Sequence, residues 1–310
     1  MTAASLPDRV RDACRRVAAD ARSVRIEEGA IEEYAAGLAG VADPDPDPAT
    51  ELLEGDRETR AAFVICLDAI NFGSGWWPTI RKRPGHSGYF TIAAGVTDRF
   101  RSRGAWTAAE LTGLCARDLA QTLGQDPEHP LMEQFAASLR NVGEQVRADH
   151  GGNFAAVIDA AAGSATALAG LLAGWDAFAD SALYGESAVP FFKRAQLAAA
   201  DLDRAGVATF ADLDRLTAFA DNLVPHVLRV DGVLCLDPGL AAAIEAEELL
   251  AHGSPEEVEF RACTVHAIEL LAAASSPRLS PAEVDVILWN RGRAPRYKAL
   301  PRPRCRNTAY

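Results

Sequence analysis

"SPEEVEFRACTVHAIELLAAA", residues 254–274, announces a helix at its first four positions. Ser254 offers a hydroxyl to cap the N-terminus, Pro255 suits the first helical position, and Glu257 stands three residues after the cap. "SPAEVDVILWNRG" (280–292) repeats the device with Ser280, Pro281 and Glu283, and Gly292 is placed to stop the helix. "TAAELTGLCARDLAQTL" (107–123) opens with Thr107 and Glu110 at capping-box spacing. Val10, Ala13, Cys14, Val17 and Ala18 recur at i, i+3, i+4, i+7 and i+8, the apolar face of an amphipathic helix. Strand signals are sparse: "GVLCLD" (232–237) reads as a short strand or an extended linker, and "DPDPDP" (43–48) as a stiff exposed loop, because each X-Pro pair disfavours helix. The expected fold class is all-α: a mostly helical single domain over residues 1–310, with at most a minor β-hairpin.

With 310 residues the chain can bury one large core or two small ones, and 49% hydrophobic with 24% charged residues is an ordinary globular composition. A formal net charge of -12 argues against wrapping a nucleic-acid polymer, which requires a broad basic footprint, yet leaves room for a small anionic ligand in a locally basic pocket. The six cysteines show no CxxC spacing, so neither a structural zinc site nor a disulfide framework is expected. The N-terminal stretch has no continuous apolar run of the signal-peptide kind. "FAAVIDAAAGSATALAGLLAGWDAFA" (154–179), interrupted by Asp159, reads as a buried helix pair and not a membrane span. The expectation is a cytoplasmic protein with no membrane partner; no oligomeric state follows from the sequence.

Phosphate-loop, dinucleotide, zincin and nucleophile-elbow motifs are absent, and "GSG" (73–75) is too short to make a phosphate loop. The histidines give no metal-ligand spacing, and His266 fits a core or surface role. Three polar islands interrupt apolar helices. In "VPFFKRAQLAAADL" the buried stripe is Phe191, Ala195, Ala198 and Leu202, which leaves Lys193 and Gln196 on another face, expected to be solvated, with Arg194 able to approach Asp201. In "TAFADNLVPHVLR" Asp221 is a helix cap or a carboxylate held in a pocket. In "EVDVILWNRG" Asp285 and Trp289 share a face and Asn290 ends the helix, roles that fit a cap and a surface. A fourth stretch, "AINFGSGWWPTIRKRPGHSGYF" (69–90), sets Trp76 and Trp77 between glycines and a basic run, Arg81-Lys82-Arg83. The tryptophans either stack on a flat ligand or pin a loop to the core.

In their order and spacing, "LDAINFGSGWWP", "SGYFTIAAGVTDRF", "FFKRAQLAAADL", "FADNLVPHVL", "VEFRACTVHAIELL" and "LWNRG…PRPRCRNTAY" resemble the queuosine salvage family, the queuosine 5'-phosphate N-glycosylase/hydrolases; so does the earlier "ARSVRIEEGAIEEYAAGL". The resemblance implies a helical fold with the layout of DNA glycosylases, and hydrolysis of the N-glycosidic bond of queuosine 5'-monophosphate to release queuine for reuse in transfer RNA. It places Asp221 nearest the chemistry, with Lys193 as the second catalytic residue. Phe219, Asp285, Asn290, Trp289, Asn71 and Trp76 are implied on the substrate. The chain departs from the family at Glu51, where a base-contacting His is usual, and at Asn290, where Asp is common; both changes fall in the base pocket.

Breaking a C1'–N bond builds positive charge on the ribose, which an ionised Asp221 would stabilise as nucleophile, as base for water or by its charge alone. Planar side chains such as Trp76, Trp77 or Phe219 can stack on a base, each worth about 1–3 kcal/mol. Lys82, Lys193, Arg304 or Arg306 are candidates for the 5'-phosphate. The partner is then a small nucleotide, with neither metal nor organic cofactor required. The alternatives are an N-glycosidase for a different modified nucleoside or nucleotide, and a non-catalytic nucleotide-binding relative; a DNA glycosylase is disfavoured by the charge.

Overall fold

A computed structural model describes residues 4–38 and 55–310; the 43–48 loop and Glu51 lie outside the described residues. The helices expected from their caps form. Thr107 and Glu110, and likewise Ser280 and Glu283, exchange side-chain and backbone hydrogen bonds as full capping boxes. Ser254 makes half of one, accepting from the Glu257 amide at 3.3 Å, while Glu257 turns inward and accepts from the Gly253 amide instead. The 107–123 stretch is two helices, Ala108–Thr112 and Ala116–Leu123, separated at Gly113. The apolar 154–179 stretch is the expected helix pair, Phe154–Asp159 and Ala165–Leu172, followed by a short turn of helix, Asp176–Phe178. No described helix is long and apolar enough to cross a membrane.

Strands are confined, among the described residues, to three two-stranded pairings. "GVLCLD" supplies a strand, Leu234–Leu236, antiparallel to Val24–Ile26. Ser181–Tyr184 and Ser187–Pro190 form the hairpin, and Leu249–Leu250 runs parallel to Arg304–Cys305.

The helix Pro255–Ala274 is the axis of the fold. The run from Glu257 to Val265 is buried without a break, so no face of it is left for water. Leu6–Asp20 packs along it, Pro281–Arg291 and Leu223–Val230 cover its other flank, and Arg57–Ala69 meets Lys193–Arg204 farther out. Burial on all sides requires its polar groups to find partners inside. Glu259 does so on the first strand: its Oε2 accepts the amides of Arg22, Ser23 and Val24 at 3.0, 2.6 and 3.1 Å, and its Oε1 accepts from the Tyr184 hydroxyl at 2.8 Å.

The glycines around the tandem tryptophans serve close packing. A Cβ on Gly75 would lie 2.6 Å from the Cys305 carbonyl, and one on Gly88 would lie 2.5 Å from the Trp77 ring. Gly73, at φ 113°, donates its amide to the Tyr310 carbonyl at 3.0 Å. Trp76 is only 9% exposed and joins the main core. Gly73 and Gly75 therefore bring the 304–310 segment onto this turn, while Trp76 packs in the main core and Trp77 against Gly88. Gly292 is not a left-handed stop: its φ is -62°, and a Cβ there would press on Leu223 and Val227 at 2.9 Å.

A Gly75→Ala variant should lose about 1–3 kcal/mol of stability, since the clash is with backbone that cannot swing aside. Urea unfolding checks this against Gly170→Ala, a helical position with no neighbour within 4 Å that should be neutral or stabilised. Equal midpoints for the two variants would contradict the packing role.

Candidate active site

Thr217, Ala218, Phe219, Ala220 and Asp221 form an irregular segment held at successive residues by side chains from three helices. Gln196, on the helix Lys193–Arg204, exchanges hydrogen bonds with Thr217: its Oε1 accepts the Thr217 amide at 3.0 Å and its Nε2 donates to the hydroxyl at 2.9 Å. Asp285, on the 281–291 helix, accepts the Phe219 amide at 3.0 Å. Arg261, on the 255–274 helix, donates its Nε–H to the Ala220 carbonyl at 3.0 Å. Asp221 completes the series by capping the next helix, Leu223–Val230, its Oδ1 accepting the amides of Leu223 and Val224 at 2.8 and 3.0 Å. The cap of the two alternatives is what forms, and it leaves the other oxygen, Oδ2, without a hydrogen bond from a described residue.

The opposite wall is the "KRAQ" turn, and here the expected solvated face is overturned. Lys193, Arg194, Gln196 and Asp201 are all buried, between 0% and 5% exposed. Phe192 begins the helix in the left-handed region at φ 50°, and the Lys193 amide bonds Asp180 Oδ2 at 2.9 Å. The Lys193 ammonium donates to the Asn71 carbonyl at 3.0 Å and to its side-chain oxygen at 3.3 Å. Arg194 does not pair with Asp201, which is bound by Arg204; it donates to the carbonyls of Ala69 and Ala309 and lies 5.0 Å over the Phe72 ring.

Asp180 ties the two walls together. Its carboxylate receives both terminal nitrogens of Arg261, at 2.9 and 2.8 Å, with each side chain 1% exposed. The guanidinium is sandwiched by aromatic rings, 3.9 Å from the centre of Phe191 and 4.6 Å from that of Tyr310. Neighbouring Asp180 and Glu257 more than offset desolvation and hold Arg261 above the usual arginine range.

Three ionisable groups influence one another within this frame. Burial raises the Asp221 carboxyl, and the Lys193 ammonium is the largest influence opposing that rise. Burial lowers Lys193, with Asp221 the principal charge holding it protonated. Burial and then repulsion from Asp221 push the Asp285 carboxyl well above the ordinary range. Both carboxyls are raised, Asp285 the more strongly because the Asp221 charge adds to its burial.

The other expected residues are distributed unevenly. Phe219 is buried against this wall and Asn71 orients Lys193. Trp289 stands one turn from Asp285, edge-on to Tyr89 and Phe90 at 6.3 and 6.0 Å between ring centres. Asn290 turns back on its own helix, donating to the Val286 carbonyl at 3.0 Å and accepting from Arg293 at 3.1 Å. Trp76 lies in the main core. Lys82 is exposed, and the arginines on either side pair with Asp126 and Asp98, so the 81–83 run is a solvated face. Arg304 pairs with Glu247 and Arg306 is exposed. Three residues went unrecognised in the sequence: Asp180, Arg261 and Arg302. Arg261 had a legible signal, a cation between acids within an apolar helix; Asp180 and Arg302 had none. No group of three or more His, Cys, Asp or Glu among the described residues is arranged to hold a metal ion.

Residues 52–310 match the model of the queuosine salvage protein family. The chain belongs to this family. A protein of Sphaerobacter thermophilus called queuosine 5'-phosphate N-glycosylase/hydrolase is 34% identical over 309 residues, covering 96% of each chain. Proteins of the same name from Dictyostelium discoideum and Mus musculus are 29% and 27% identical, covering 82% and 76% of this chain and 79% and 75% of their own lengths. Within a queuosine salvage protein, the stretches that carried the resemblance are those that build the two walls: "INF" with Lys193, "FAD" with Asp221, and "EFRAC" with the arginine that joins them.

Arg261→Met leaves the Asp180 charge and the Ala220 carbonyl buried without their partner, and should cost about 3–5 kcal/mol. Combining it with Asp180→Asn should cost clearly less than the sum of the single changes, by a coupling of about 0.5–3 kcal/mol in denaturant unfolding. Strict additivity would show that the pair does not act as a unit.

Proposed function

We propose that the chain is an N-glycoside hydrolase of queuosine salvage, cleaving queuosine 5'-monophosphate with water to give queuine and ribose 5-phosphate. The observation that carries the reading is one carboxylate, Asp221, capped by two amides and balanced by a buried lysine, opposite a second carboxyl, Asp285, in a more apolar setting. The likeness over nearly the whole chain to proteins named for this reaction supports the substrate class.

As the glycosidic C1'–N bond breaks, its electron pair leaves with the base and the ribose ring becomes cationic. In its ionised form, which Lys193 favours against burial, Asp221 faces this charge through its free Oδ2, either by stabilising it or by taking a proton from the water that forms the new C1'–O bond. A 7-deazapurine has no N7 lone pair to protonate, so departure depends on donors reaching the rest of the base. Asp285 suits that role, because one oxygen is occupied by the Phe219 amide and burial, with repulsion from Asp221, favours the protonated carboxyl that can donate from the other. Phe219 supplies the adjacent apolar surface, and Asn71 keeps the Lys193 ammonium directed. The altered position Asn290, one residue after Trp289, bears on which base is accepted.

Purified protein incubated with queuosine 5'-monophosphate should release queuine, detected by mass. Asp221→Ala should lower the rate about 10²–10⁴-fold while remaining folded. No release by the folded wild type, with release from another modified nucleotide, would transfer the reaction to a different base.

The pH dependence follows from the two shifts. Asp221 must be deprotonated, so the rate falls on acidification; Asp285 must hold its proton, so the rate also falls as pH rises through its elevated pKa. Asp285→Asn keeps a donor that cannot titrate and should lose the alkaline limb of the profile. An alkaline limb unchanged in that variant would assign it to another group.

A further inference from the structure

A nucleotide substrate brings a phosphate dianion, and the cations expected to meet it are otherwise engaged. Lys193 is spent on both oxygens of Asn71, Arg304 on Glu247, and Lys82 and Arg306 stand in solvent. Arg194 and Arg261 are sealed behind the walls. Arg302 differs from all of these. It is half-buried, yet its guanidinium makes no hydrogen bond or ion pair with any described residue.

The backbone around Arg302 is fastened on both sides. Arg229 Nη2 donates to the Pro301 carbonyl at 2.8 Å, and Asn222 Nδ2 donates to the Pro303 carbonyl at 2.9 Å. Asn222 follows Asp221 directly, so the second fastening brings the 301–303 strap alongside the catalytic carboxylate. His226, on the same helix, bonds the Tyr297 carbonyl at 2.9 Å and secures the approach to the strap. A half-buried guanidinium with five N–H donors and no acceptor is costly to maintain unless a ligand supplies the acceptor. Its planar fork matches two oxygens of a phosphate.

We propose that Arg302 is the receptor for the substrate's 5'-phosphate and sets the preference for nucleotide over nucleoside. This rests on the nucleotide reading above. Seated between Asn222 and Arg229, the guanidinium fixes the ribose end of the substrate while the base lies toward Phe219 and Asp285, which leaves the anomeric carbon opposite Asp221. Burial holds Arg302 below the ordinary arginine range with Asp221 as the opposing charge, and a bound dianion would favour the charged form further.

The test compares kcat/KM for queuosine 5'-monophosphate and for queuosine, at fixed ionic strength, in the wild type, Arg302→Gln and Arg302→Lys. The nucleotide-to-nucleoside ratio should fall about 10–100-fold in Arg302→Gln and recover part of the way in Arg302→Lys, which keeps the charge without the fork. Calorimetric titration with ribose 5-phosphate, which needs no turnover, should show binding to the wild type that is weakened by a similar factor in Arg302→Gln. If the wild type turns over the nucleotide but the ratio is unchanged in the variants, the assignment of Arg302 is overturned while the reaction stands. If neither substrate is cleaved yet ribose 5-phosphate binding depends on Arg302, the phosphate site stands and the reading of the base fails. Loss of ribose 5-phosphate binding in neither variant overturns the site. Should Arg302→Gln fail to fold, Arg302→Lys carries the same comparison.

Discussion

The buried pair between Arg261 and Asp180 is the constraint on which the site depends. Removing a guanidinium and a carboxylate from water is expensive, and their mutual attraction offsets the cost only where the remaining donors and acceptors are also satisfied. Here they are used to build the site. Arg261 spends its Nε–H on the Ala220 carbonyl, the residue before Asp221, and Asp180 spends a lone pair on the amide of Lys193. One ion pair thus fixes the backbone beneath both the carboxylate and its lysine. The aromatic faces of Phe191 and Tyr310 exclude water from the pair and add cation–π attraction. An apolar replacement of the same volume could fill this space, but it could not hold two backbone segments at a set separation.

The second wall-building device is close backbone packing. Gly75 admits the 304–306 backbone, Gly73 binds the Tyr310 carbonyl, and Arg194 reaches the Ala309 carbonyl. The 301–310 segment therefore belongs to the site's architecture, and its neighbour Asn222 ties it to the helix that Asp221 caps. This accounts for a pairing that looked odd in the sequence, in which tandem tryptophans stand among glycines. The missing side chains let a strand pass close to the turn while the rings fill the core beside it, and the flanking arginines of the basic run pair with acidic neighbours on the surface.

Much of the fold was legible because it is written locally. Caps at Thr107, Ser254 and Ser280 depend on residues three apart, and each forms a helix start where expected. Asp221 and Asp285 could be singled out because an acid beside apolar residues near a helix end is unusual whatever the fold. What could not be read is long-range. Lys193 and Gln196 lie off the apolar stripe and fit a wet face; only the partners at Asn71 and Thr217, remote in sequence, turn that face inward. Asp180 sits in a short loop with no periodicity to mark it. Arg302 lies in a proline-rich strap, and its meaning comes from what the strap crosses. Trp76 shows the same limit from the other side, since an aromatic beside glycines suits a ligand or the core equally well until the fold is seen.

The most direct measurement is a crystal structure of an Asp221→Asn variant with queuosine 5'-monophosphate bound. With Asp221 as the group that meets the ribose cation, the anomeric carbon should lie about 3–3.5 Å from the side-chain oxygen or nitrogen at the Oδ2 position, with the base toward Asp285 and Phe219. A nucleotide bound with its glycosidic bond away from residue 221, or on another face of the protein, would contradict the central claim that the Arg261–Asp180 frame exists to place that carboxylate at the bond being broken.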